Sequence, residues 1–91
     1  MTVSDQNEYI AKIQAMLFED LNTSSDVSVN GIFAIIEVSK QYQKRVEQRI
    51  IDAVTDTARW IQKYLMYCRH MARPIDTVLV SNLIDSLKYM Y

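Results

Sequence analysis

Between its only glycine, Gly31, and its only proline, Pro74, this 91-residue chain runs for 42 residues without a strong helix breaker. Average usage would supply about six glycines and four or five prolines in a chain of this length. Glycine and proline are the residues that end helices and shape tight turns. A chain so short of both is expected to be all-α.

Hydrophobic spacing divides that helix content into elements. Ser4 is a candidate N-cap with Asp5 and Glu8 in the first turn, where carboxylates favour the positive end of a helix. Ile10, Ile13, Leu17 and Leu21 then recur at steps of three and four, which predicts a helix over residues 5–21. The polar run of residues 22–26 reads as a loop. A second pattern opens with Val29, Ile32, Phe33 and Ile36, thins across residues 39–45, and resumes in phase at Val46, Ile50, Val54, Ile61, Leu65 and Cys68. No residue in the thin stretch forbids helix, so one central helix of about 40 residues, roughly 60 Å long, is expected. The alternative is two helices, broken near residues 39–42 or 55–57. Pro74 disfavours helical geometry at Arg73 and ends the element. A last helix then starts either with Pro74 in its first turn or with Asp76 as cap, and its predicted stripe is Leu79, Leu83, Leu87 and Met90.

The expected architecture is therefore a single-domain helical bundle over residues 1–91, with a short N-terminal helix, a long central helix and a C-terminal helix. Apolar residues make up 49% of the chain, including nine aromatics and five methionines. Two short helices cannot cover a central helix of the expected length, and a core of this size is only modestly stable alone. A homodimer is expected to bury the excess. The apolar steps drift from a strict heptad, which favours a globular pair over a coiled-coil rod.

Net charge is −1, but it is unevenly spread. Lys12 is the only cation among the first 37 residues, against Asp5, Glu8, Glu19, Asp20, Asp26 and Glu37. Residues 38–73 reverse the balance, with Lys40, Lys44, Arg45, Arg49, Arg59, Lys63, Arg69 and Arg73 against Glu47, Asp52 and Asp56. An acidic third and a basic middle can attract each other within one fold or between two chains.

Turning each residue by about 100° places Ile61, Leu65 and Cys68 on one face, with Trp60, Tyr64, Tyr67 and Met71 on an adjoining one. The combined arc of about 160° is wider than one neighbouring helix covers. Either it is buried between two helices of its own chain, or its Trp, Tyr and Met side chains form a recognition surface, since those types are enriched at protein interfaces. Trp60, Tyr64, Tyr67 and Met71 are accordingly candidate interface residues, with Phe33 and Tyr42 as a second patch. Cations beside aromatics also hold single-stranded nucleic acid. The candidates for that role are Lys40, Lys44, Arg45 and Arg49, although a pI of about 5.7 argues against it.

Catalytic and cofactor signatures are lacking. Cys68 and His70 point about 200° apart on a helix, and no second cysteine or histidine exists to complete a metal site. Asp52 and Asp56 share a face with Arg49, Arg59 and Lys63 around them, the pattern of a solvated charged surface. One glycine cannot build a phosphate-binding loop. The first twenty residues lack the basic-then-apolar order of a secretory signal, no apolar run approaches a membrane span, and a single cysteine fits a reducing compartment. The expectation is a cytoplasmic, non-enzymatic regulator or adaptor that contacts itself and another protein, with no cofactor, metal or small-molecule substrate. A nucleic-acid-binding transcriptional regulator is the alternative.

Overall fold

The computed structural model describes residues 3–22 and 29–89, with side chains described for all of these but 29–32. Among them, all regular structure is helical: α1 (Val3–Asn22), α2 (Val29–Tyr42), α3 (Gln48–His70) and α4 (Thr77–Ser86), closed by a 3-10 turn at Leu87–Tyr89. The predicted loop at residues 22–26 falls, beyond Asn22, outside the described residues.

The expected unbroken central helix is not formed. Residues 43–47 turn the chain back between α2 and α3, with the backbone N–H groups of Arg45 and Val46 both donating to the Tyr42 carbonyl. The longest dimension of the molecule is 42 Å, well short of the expected rod. Nothing in residues 43–47 forbids helix, so the cause is tertiary. Lys40, Gln41, Gln43, Lys44 and Arg45 give a continuing helix nothing to bury, whereas a reversal lets Ile35 and Tyr42 of α2 pack beside Ile50 and Val54 of α3 in one core. Packing of apolar faces outweighs local propensity here, as it does for most protein helices.

The helices run up, down, up and down. Tyr9 near the start of α1 meets Ser39 near the end of α2, Gln62 and Arg69 of α3 reach Asp20 near the end of α1, and Gln14 donates to the Ile84 carbonyl of α4. α1 and α3 pack directly on each other, while α2 and α4 flank that pair from opposite sides. The core joins Ile10, Ile13 and Leu17 of α1 to Ile50, Val54, Ile61 and Leu65 of α3, as their spacing predicts.

Two stripes are corrected. On α2 the inward residues are Ile35, Ser39 and Tyr42, while Phe33 points outward and Ile36 is half-buried; the side chains of Val29 and Ile32 lie outside the described residues. On α4 they are Val80 and Ile84, followed by Leu87, while Leu79 is exposed and Leu83 half-buried; Met90 lies outside the described residues. Both helices are apolar on more than one face, so spacing alone allows more than one inward direction.

Polar contacts close the helix ends. The Arg69 guanidinium donates to the Asp20 and Leu21 carbonyls, satisfying acceptors that α1 leaves open at its C-terminus. α3 ends with Ala72 in left-handed geometry (φ 52°), with the Arg73 N–H donating to the Cys68 carbonyl and the Ala72 N–H to that of Arg69. This is the Schellman arrangement, with alanine where glycine is usual. Of the two predicted starts for α4, the structure takes Asp76, whose carboxylate accepts from the Leu79 N–H at 3.0 Å.

Candidate functional site

The candidate interface residues separate into three environments. Trp60, Tyr67 and Met71 are 50%, 51% and 49% exposed along one flank of α3. Tyr64 lies among them but is half-buried against the core; its ring stacks on Trp60 at 5.5 Å, and its hydroxyl accepts from the Asp76 N–H at 3.1 Å. It therefore ties the cap of α4 to α3 and stiffens the base under Trp60. Phe33 is exposed on the outer face of α2, across the molecule from α4.

Tyr42 does not belong to a surface patch. It is fully buried, its ring 5.4 Å from that of Tyr9, with the Arg45 guanidinium 4.4 Å and the Lys12 ammonium 5.2 Å from its centre. The Tyr42 side chain beside the ammonium raises the Lys12 pKa by favouring its charged form. Tyr42 is instead a core aromatic that joins the end of α2 to α1. Nearby, the Ser39 hydroxyl donates to the Ile35 carbonyl and bonds the Tyr9 hydroxyl, which satisfies both groups away from water.

Between α3 and α4 the packing opens into a groove of about 540 Å³ lined by Asp56, Thr57, Trp60, Leu79 and Leu83. Tyr64 and Asp76 hold the two helices together at one end, and the groove lies toward the N-terminal half of α3. Its walls are almost wholly apolar, although Asp56 is among the lining residues. Exposed apolar surface of this kind, continuous with a Trp–Tyr–Met flank, is characteristic of contact surfaces. Leu79 and Leu83, which their spacing puts on the inward stripe of α4, both line the groove; Leu83 also packs against the core, whereas Leu79 is exposed. The available signal for the groove was the width of α4's apolar arc, since Val78, Leu79, Val80, Leu83 and Ile84 exceed what one buried face needs.

The basic candidates gather around the α2–α3 turn rather than along a helix. Three of the four already face acids: Lys40 lies 3.6 Å from Glu37, Arg45 3.6 Å from Asp5, and Arg49 2.6 Å from Glu47. Lys44 is exposed. The predicted attraction between the acidic first third and the basic middle is visible in the Arg45–Asp5 pair.

Cys68 is buried and His70 exposed, and among the described residues no three His, Cys, Asp or Glu side chains cluster as metal ligands. No helix of the described residues is long and apolar enough to cross a membrane. Compared with protein-family models, curated proteins and solved structures, the chain matches none.

Proposed function

We propose that this chain is a cytoplasmic, non-catalytic regulator or adaptor that acts by protein–protein contact through the α3–α4 face, homodimerisation included. The observation that carries this reading is the half-exposed row of Trp60, Tyr67 and Met71 beside a groove walled by Leu79 and Leu83. Large, stiff aromatics anchored by a stacked neighbour lose little freedom on binding, which is why such residues dominate contact energies. The nucleic-acid reading draws less support, because three of its four cations are engaged by carboxylates of their own chain.

A benzophenone photo-crosslinker introduced at position 60, with position 33 on the opposite side as control, tests the reading in the expressing cell. Protein adducts are expected from position 60 and few from position 33. Absence of any protein adduct from position 60, together with a mobility shift of nucleic acid that weakens steeply with salt, would sink it.

A further inference from the structure

The outer face of α3 carries its charges in an order that specifies an occupant for this surface. Asp52, Asp56, Arg59 and Lys63 fall within an arc of about 60° on the helix, turned away from the core. The acids occupy the N-terminal half and the bases the C-terminal half. Among the described residues, Asp56, Arg59 and Lys63 have no ion-pair partner in their own chain, and Asp52 accepts only a neutral hydrogen bond from Gln48. Trp60 lies on the edge of this arc toward α4, next to the groove.

We infer that the occupant is a second copy of this chain, with the two α3 helices packed antiparallel about a two-fold axis between Thr57 and Ala58. In that register Asp52 faces Lys63 of the second copy and Asp56 faces its Arg59, and symmetry repeats each pair. A parallel pair would set Asp52 against Asp52 and Lys63 against Lys63, which like-charge repulsion disfavours. The two-fold axis stands perpendicular to the plane of the two α3 helices, so it keeps both α4 helices on one side. The two grooves then open toward each other, with both Trp60 rings at the join and Leu79 of each copy behind them. The charges set orientation and register, and the apolar groove supplies the area removed from water. This inference rests on the α3–α4 face being a contact surface.

The test uses Asp52→Lys and Lys63→Asp, made separately in the full chain. Residues 52 and 63 are about 16 Å apart along one helix, too far to pair within a chain. The unaltered protein is expected to be a dimer in the micromolar range by sedimentation equilibrium. Each variant, with helix content unchanged by circular dichroism, should self-associate about tenfold more weakly, because two attractive pairs become repulsive. Mixing the two variants should restore dimers, and mass-tagged chains should show them to be mixed. A chain that stays monomeric throughout the micromolar range overturns the second copy as occupant; adducts to a different protein from position 60 would then leave the contact-surface reading standing. Dimers that Trp60→Ala dissociates but that neither charge variant weakens nor mixing affects would overturn the antiparallel register alone.

Discussion

Tyr42 and Trp60 are both large aromatics on helix flanks, yet one is sealed on every side and the other is half open. The difference lies in what sits beside each flank. Tyr42 ends α2 where α1 passes closely, so Tyr9 covers its ring and Arg45 and Lys12 close over it. Trp60 lies where α3 and α4 diverge, and among the described residues the ring stacked against it is that of Tyr64 on its own helix. Where two helices pack closely, an aromatic contributes to stability; where they part, the same side chain remains available for contact.

The sharpest way to break this contrast is to truncate both rings. Tyr42→Ala leaves a cavity beside Tyr9 in the core and should cost about 3–5 kcal/mol of unfolding free energy in a urea titration. A loss below about 1 kcal/mol would mean that the α1–α2 packing is not closed. Asp76→Ala removes the cap of α4 and should cost about 1 kcal/mol. It should also raise amide exchange in the first turn of α4, since Asp76 anchors the groove's second wall; unchanged exchange there would separate the cap from the groove. Trp60→Ala should move unfolding free energy by no more than about 0.5–1 kcal/mol, in keeping with a half-exposed site, while weakening association. A loss as large as that of Tyr42→Ala would make Trp60 a core residue and remove the contact surface. Ala72→Gly should shift stability in the opposite sense, by roughly 0.5–1 kcal/mol, because glycine relieves the left-handed backbone of the α3 terminus. A thermal melt of the variant that shows no gain would place the strain elsewhere.

The helical class and the stripes of α1 and α3 were legible in the sequence because Ile10, Ile13 and Leu17, and Ile50, Val54, Ile61 and Leu65, each mark one inward face. The reversal at residues 43–47 was legible only as the alternative break near residues 39–42, about one turn early. It contains no glycine or proline and exists because burial of Ile35 and Tyr42 outweighs the continuation of a helix that would cover nothing. The candidate site was half legible: Trp60, Tyr67 and Met71 are half-exposed on one flank of α3, but Tyr42 belongs to the core, and the groove positions of Leu79 and Leu83 were hidden in an apolar arc with more than one inward solution.

The scarcity of glycine and proline, and the three-and-four spacing of the apolar residues, determined the all-helical class, because both act through the local geometry of a single helix. The tertiary structure alone decided which flank of each helix is closed by a neighbour. That choice depends on how closely two distant segments approach, and the approach of α2 to α1 and the divergence of α4 from α3 are set by packing of the whole core rather than by any one stretch of chain.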